Sequence, residues 1–340
     1  MGAIARKWLV IRIAAAVSVF FFGLSALLQN GKLVHTKNNL TTVTTISPLQ
    51  NVSSQDRLND VVDWRVAPVE KLTLEQLVEY IEWTNSTSCR LSHDFGGSVV
   101  LSMGVDGQKA LCLDPAVRPE KASGGWPPVT DKKFSECLVY SFGINNEWTF
   151  DEAMQNFGCR VYAFDPSMQL ANHNHTPKIH FYNTGLGDRD HVRLNDRDPA
   201  NPSNWTMKSL DSIYRHLLGH EDKIIDYLKV DIEGDEWIVL PQIISSGMMD
   251  RVRQLGVEIH LLTHHCPHMT SCPPPDVSLD FIRQRVDVIK SLEDYGLVRF
   301  DSKFNPWSNN LKIVDGVDWW GYDAYELVWY NPKLARNVSR

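Results

Sequence analysis

Glu136-Cys-Leu-Val-Tyr-Ser-Phe-Gly-Ile-Asn-Asn-Glu-Trp-Thr-Phe-Asp-Glu-Ala-Met-Gln-Asn-Phe-Gly-Cys-Arg-Val-Tyr-Ala-Phe-Asp-Pro166 is the stretch whose reading decides the fold. Leu138–Phe142 is a short apolar run stopped by Gly143, a length and composition that suit a buried strand. A helix should follow: Thr149 and Glu152 have the spacing of a capping box, Phe150, Met154 and Phe157 fall on one face, and Gly158 is a natural stop. Arg160–Phe164 then reads as a second strand, ended by Asp165-Pro166. The whole is a β-α-β unit with a glycine at its first turn and an acid at its second tip. Such a unit suits an adenosine-type ligand, because the glycine admits a close backbone approach, the helix start offers N–H groups and the acid accepts from ribose.

Working outward, strands and helices keep alternating. Lys178–Tyr182, Ile224–Ile232, Val252–Leu261, Leu297–Phe300 and Tyr325–Tyr330 read as strands, with a small extra one at His191–Leu194. Ser209–Leu218, Glu236–Met248 (with Pro241 inside or near its start) and Ser278–Tyr295 read as helices. Upstream, Thr73 and Gln76 open a helix that runs to Trp83. This order predicts an α/β fold with a mostly parallel sheet covered by helices on both faces. Ligands of such sheets bind beyond the carboxyl ends of the strands. The residues there are Gly143 and Asn145, Asp165, Asn183 to Gly185, Asp231 with Glu233, and Glu258 with His260.

The 340 residues carry a formal charge of −7 with no long basic run, so nucleic acid is not an expected partner. Residues 13–28 are apolar, follow Arg6, Lys7 and Arg12, and are short against the roughly 20 residues of a bilayer span. They read as a signal anchor after a cytoplasmic segment 1–12, or as a cleaved signal peptide. Residues 29–60 read as a disordered stem, 61–130 as an N-terminal cap, 131–332 as the catalytic-type domain and 333–340 as a tail. Sequons at Asn39, Asn51, Asn85, Asn174, Asn204 and Asn337 and an even set of six cysteines agree with a secretory route, giving a type II single-pass membrane (Golgi) protein or a secreted one. Proximity suggests the pairs Cys89–Cys112 and Cys266–Cys272, leaving Cys137–Cys159 at the starts of two neighbouring strands or as buried free thiols.

The runs Ser209-Leu-Asp-Ser-Ile and Ile225-Asp-Tyr-Leu-Lys-Val-Asp-Ile-Glu-Gly-Asp-Glu-Trp237 resemble the Leu-Asp and Lys-x-Asp-x-Glu-Gly signature of FkbM-type S-adenosylmethionine-dependent methyltransferases. Tyr140-Ser-Phe-Gly and Ala163-Phe-Asp-Pro look like the strand tips of the membrane-proximal animal members. The resemblance covers about Cys89 to Tyr330 and implies a seven-stranded class I methyltransferase fold with S-adenosylmethionine at the first two tips. It implies that Gly143 is the cofactor-loop glycine, with Asn145 beside it, and that Asp165, next to Pro166, holds the ribose hydroxyls. Asn183, Gly185 and Leu186 would flank the adenine, and Asp231 would lie next to the transferable methyl. The loop departs from the family in carrying one glycine, followed by Ile144-Asn145-Asn146.

Each of these residues also has a plainer reading. Glu147 reaches a methionyl amine or merely enriches the helix start in negative charge. Asp231 and Glu233, two apart on one strand face, serve as base or divalent-metal ligands, or cap the next helix. His260 as a neutral imidazole could take a proton from a hydroxyl. His264, His265, Cys266 and His268 offer a zinc set or, with Cys266, a disulfide. Trp307, Trp319, Trp320 and Tyr322 line a groove or pack a lid. The expected activity is O-methylation of a glycan or small hydroxylated acceptor. Its rivals are a Golgi glycosyltransferase holding a metal-bound nucleotide on Asp188/Asp190, Asp196/Asp198 or Asp231/Glu233, and a catalytically silent binding module.

Overall fold

The Leu138–Phe142 run, buried at every position, is the middle of the sheet because both of its faces are covered. The computed structural model describes residues 67–100, 104–119, 137–195, 202–262 and 276–336. The apolar segment 13–28, the stem 29–60, Asp196, Asp198, the 263–275 stretch with its histidines, Cys266 and Cys272, and the sequons at Asn39, Asn51 and Asn337 lie outside those residues. No helix among the described residues is long and apolar enough to cross a membrane. Residues Val62–Arg340 form one compact unit, so the described cap residues share it with the sheet.

The main sheet consists of β1 (Leu138–Phe142), β2 (Arg160–Phe164), β3 (His173–Thr176), β4 (Ile179–Tyr182), β5 (Tyr227–Val230), β6 (Gln254–His260), β7 (Val298–Phe304) and β8 (Ala324–Tyr330). Their spatial order is β7-β8-β6-β5-β1-β2-β4-β3. Strands β1, β2, β4, β5 and β6 are parallel to their neighbours in that set, whereas β8 runs antiparallel to both β6 and β7. The chain builds outward from β1 to β4, then returns to place β5 on the other side of β1. The order therefore reverses between β1 and β5, where an open α/β sheet leaves a crevice.

Eight strands stand where seven were expected. The extra one, β3, pairs antiparallel with β4 at the sheet edge. Its sequence, His-Asn-His-Thr, has no apolar run to announce it. Its place depends on cross-strand bonds such as His180 Nδ1 with Asn174 Oδ1 at 2.6 Å.

Alternation of side chains sorts the sheet into two cores. Leu138, Tyr140, Phe142, Leu228, Val257, Leu327 and Trp329 face the helices α1 (Leu74–Glu82), α3 (Glu236–Ser245) and α4 (Leu279–Asp294). Val139, Val161, Ala163, Tyr227 and Val328 face α2 (Thr149–Phe157) and the strand Lys109–Cys112 contributed by the N-terminal cap. On α4 the buried stripe is Ile282, Val286, Ile289 and Leu292, each contributing about 1.5–3 kcal/mol by leaving water.

The Thr73–Gln76 capping box forms as read, with Gln76 N donating to Thr73 Oγ1 at 3.3 Å and Thr73 N donating to Gln76 Oε1 at 3.0 Å. The expected Thr149–Glu152 box does not. The Gly96-Gly97 turn lies so close that a Cβ at Gly96 would meet Phe150 N at 2.4 Å. Thr149 Oγ1 therefore accepts from Gly97 N at 2.7 Å, Glu147 takes the Thr149 N–H at 3.2 Å, and Glu152 pairs with His175. Gly158 ends α2 in the left-handed conformation as expected. Pro241 sits inside α3.

The disulfides Cys89–Cys112 and Cys137–Cys159 are both present. The second joins the starts of β1 and β2 across 22 residues. Replacing both Cys137 and Cys159 by Ala should cost about 2–4 kcal/mol of unfolding free energy, read from the denaturant midpoint under non-reducing conditions. An unchanged midpoint would mean the β1–β2 pairing holds without the crosslink.

Candidate active site

The carboxyl ends of β1 and β5 meet at the point of reversal. Gly143 adopts a φ of 79°, and a Cβ built on it would stand 1.6 Å from the carbonyl oxygen of Asp231. Only glycine fits that approach. The Lys229 ammonium donates to the Gly143 carbonyl at 2.6 Å and lies 3.6 Å from the Asp231 carboxylate, lacing the two tips together.

Asp165 is 4% exposed and organises the loop beyond Gly143. Its Oδ2 accepts from Ile144 N at 2.9 Å and Asn145 N at 2.7 Å, and its Oδ1 from Ser167 N at 2.7 Å and Ser167 Oγ at 2.6 Å. A carboxylate offers about four acceptor positions, so the protein uses them all. The Ser167 hydroxyl is the one partner that rotates away, which leaves Oδ1 able to accept from a ribose hydroxyl. Asn145 and Asn146 are left-handed, at φ 44° and 61°, turning this loop without further glycines. Glu147 is committed locally, accepting from Ser98 Oγ at 3.0 Å as well as from Thr149 N.

Pro166 and Met207 close over Gly185, where a Cβ would meet Pro166 Cγ at 3.1 Å and the Met207 sulfur at 2.6 Å. Gly185-Leu186 pairs with Met207-Lys208 in a small separate sheet, and Leu186 is buried. Asn183 N donates to Asn172 Oδ1, and the residue stays exposed. Asp165 therefore holds the β1 loop and Gly185 packs on Pro166 next to it, while Glu147 turns toward the cap.

Asp231, Glu233 and His260 do come together, each offering an atom within 4.8 Å of the others. Strand alternation is not what unites the two acids. Glu233 lies beyond β5 in a left-handed turn, φ 56°, followed by Gly234 at 101°. Glu236, wholly buried, holds that turn by accepting from Ile232 N and Gly234 N, each at 2.9 Å. The same carboxylate binds His260 Nδ1 at 3.2 Å.

That contact changes the expected role of His260. Burial alone would lower its pKa, but the hydrogen bond and charge of Glu236, with Asp231 and Glu258, raise it to about 10. At neutral pH it is an imidazolium and has no lone pair with which to act as a base. Asp231 moves the other way for a base: burial and Glu258 push its carboxyl up, against Lys229, Lys109 and His260. Burial also raises Glu233, against the charge of His260.

Several residues of this region carried no motif. Lys109 enters from the cap, wholly buried, with its ammonium 2.5 Å from Glu326, 3.7 Å from Glu258 and 3.9 Å from Asp231. Glu258 and Glu326 are direct cross-strand partners on β6 and β8. A glutamate within the apolar run Ala324–Tyr330 was a legible signal; Lys109 had none. Asp151 on α2 is 1% exposed, with the buried Ser141 hydroxyl beside its carboxyl. Burial pushes it up to about 6, against Lys229 and the neighbouring Ser141 hydroxyl.

The remaining candidates are spent on structure. Asp188 pairs with Arg189, and Asp190 accepts from Lys208, Ser209 N and Ser212. Tyr322 stacks on Phe304 at 4.1 Å, Trp319 lies over the Lys312 ammonium at 5.4 Å, and Trp320 is exposed.

Comparison with known proteins agrees with this architecture. A family model described as a methyltransferase domain matches residues 88–313. The chain is 30% identical over 157 residues to the probable methyltransferase-like protein 24 of Rattus norvegicus, which covers 43% of the chain and 40% of that protein. It is 30% identical over 146 residues to the protein of the same description from Homo sapiens, covering 40% and 38%. The match thus spans about two fifths of each relative's length.

Two consequences are measurable. Gly143→Ala should destabilise by about 3 kcal/mol or more, since it meets Asp231 backbone in a left-handed conformation; a loss under 1 kcal/mol would contradict the contact. For Asp151, the folded state keeps a proton that the unfolded chain releases between about pH 4 and 6, so its contribution to stability falls as pH rises through that window. Asp151→Asn should therefore exceed the parent in unfolding free energy at pH 8, by at most about 3 kcal/mol, with the advantage vanishing near pH 3. A difference independent of pH would assign the effect to packing.

Proposed function

The chain belongs to the methyltransferase domain family whose model spans most of it, and from that premise we propose that it methylates an oxygen of a glycan or other small hydroxylated acceptor, using S-adenosylmethionine, in the secretory pathway. The observation that carries the reading is the reversal of strand order between β1 and β5, beside which Gly143, Asp165 and Asp231 stand at three strand tips. Gly143, Asn145, Asp165, Pro166, Asn183, Gly185 and Leu186 are the residues that would hold the cofactor. When bound, S-adenosylmethionine supplies an electrophilic methyl group on a sulfonium.

The residues of the chain supply the rest. Asp231 accepts the proton of the acceptor hydroxyl, its affinity for protons raised by burial and by Glu258. Lys229 holds Asp231 against the Gly143 loop, so proton acceptor and cofactor loop keep one relative position. His260 stays charged and contributes field rather than proton transfer. The two disulfides and the exposed sequon residues Asn85, Asn174 and Asn204 support the lumenal setting, with residues 13–28 as anchor or removed signal.

Calorimetry with S-adenosylmethionine, and separately with a manganese–nucleotide-sugar mixture, tests the reading. Binding of the nucleotide sugar alone would replace it with glycosyl transfer, and binding of neither would leave a silent module. Asp231→Asn should retain S-adenosylmethionine affinity within about threefold yet lower transfer of labelled methyl to a pooled glycan and hydroxylated-acceptor set by about 10²-fold or more. Undiminished transfer would move the base elsewhere.

A further inference from the structure

A cleft opens where the end of α1, the last turns of α4 and the start of the edge strand β7 meet. Because β7 runs the same way as β6, this is the end of the sheet opposite to Gly143 and Asp231. Its volume is about 240 Å³, against the roughly 150 Å³ that accommodates a benzene ring. Tyr80, Trp83 and Asn85 line it from the α1 side, Lys290 and Glu293 from α4, and Arg299 from β7. Its charges balance, since Lys290 and Arg299 stand against Glu293 and Asp294. The Arg299 guanidinium, 1% exposed, is already taken up by Glu293 at 3.0 Å and by the carbonyls of Tyr80 and Ile81. An aromatic wall with balanced charges suits a neutral, hydroxyl-bearing ring better than an ion.

The sequence independently supplies an attachment point for such a ring. Asn85-Ser86-Thr87 is a sequon, and Asn85 itself lines the cleft. Trp83, two residues earlier, is half-buried, with the Arg299 guanidinium carbon 5.8 Å from its ring centre. The sequon forms a turn closed by Ser88 N donating to the Asn85 carbonyl at 2.9 Å. Asn85 N donates to the Arg299 carbonyl at 2.9 Å, which fixes that turn on β7. Thr87 Oγ1 donates to Asn85 Oδ1 at 3.1 Å, and Asn85 stays exposed. Cys89, four residues on, is joined to Cys112, a bond of the same oxidising compartment in which N-glycans are attached. The sequon residues Asn174, bonded to His180, and Asn204, opposite Leu194, do not line the cleft.

We propose that Asn85 carries an N-linked glycan whose first N-acetylglucosamine lies in this cleft, its apolar ring face on Trp83 and its polar groups toward Lys290 and Glu293. The inference rests on the secretory setting proposed above and not on methyl transfer. The bond is made by that compartment's own transferase from a lipid-diphosphate-linked oligosaccharide. Asn85 Nδ2 attacks the anomeric carbon, the carbon–oxygen bond to the diphosphate breaks, and one amide proton leaves with the diphosphate, so nothing is oxidised or reduced. A sugar seated there touches α1, α4 and β7 together only in the folded chain, and therefore stabilises it.

The test maps glycopeptides by mass spectrometry in the full chain made by a glycosylating animal-cell host, and compares melting temperatures. Asn85 should be occupied, and trimming every glycan to its first N-acetylglucosamine should leave the melting temperature unchanged. Asn85→Gln and Thr87→Ala should melt about 2–4 °C below the glycosylated parent, and Thr87→Ser, which keeps the sequon, should melt with it. In chain made by an oxidising host that lacks the transferase, Asn85→Gln should have no effect. Trp83→Leu should likewise cancel the effect of Asn85→Gln in the glycosylated chain. A bare Asn85 beside an occupied Asn174 or Asn204 would overturn the inference and leave the secretory setting standing, whereas no glycan at any sequon would overturn both. An occupied Asn85 whose loss leaves the melting temperature unmoved would overturn the seat in the cleft.

Discussion

The approach of the β5 tip to the β1 tip governs the rest of this structure. Asp231 carbonyl oxygen occupies the space that any side chain at position 143 would need. That approach lets the Lys229 ammonium bridge the Gly143 carbonyl and the Asp231 carboxylate. The loop after Gly143 is then held from its other side by Asp165, whose bonds to Ile144 and Asn145 turn it toward β2. A two-strand contact thus positions three tips at once, and rigidity comes from charge-assisted bonds made to backbone groups.

Electrostatics at the tips follows from where charges enter. The sheet contributes Asp231, Glu258 and Glu326, the first turn of α3 contributes Glu236, and the cap contributes Lys109 and Asp106. Because these groups are mostly out of water, their mutual interactions are screened little. This is why an imidazole is held charged while a neighbouring carboxyl is pushed up. The cap is consequently more than a cover. Its strand Lys109–Cys112 packs in the second core and carries the ammonium that Glu326, Glu258 and Asp231 share.

The legibility of these features divides by range. The β1-α2-β2 unit, the amphipathic stripe of α4 and the Thr73–Gln76 box could be read because their causes are neighbours in sequence. The Thr149–Glu152 box failed for the opposite reason: Gly97, more than fifty residues upstream, takes the threonine hydroxyl. Strand β3 escaped notice because a polar edge strand needs no apolar run. His260 was correctly placed at a tip, yet its protonation depends on Glu236, which belongs to a different element.

By itself the sequence determined the alternation of strands and helices, the tips at which ligand-type residues stand, and the Cys89–Cys112 pair, because hydrophobic period, turn residues and spacing act locally; the Cys137–Cys159 pair, left open against free thiols, was decided by the neighbouring starts of β1 and β2. Only the tertiary structure decided which charges meet. Lys109 reaches Glu326 across more than two hundred residues, and Glu233 joins Asp231 and His260 through a left-handed turn that Glu236 holds. Protonation states depend on distance, burial and partner, and those exist only once distant segments have packed.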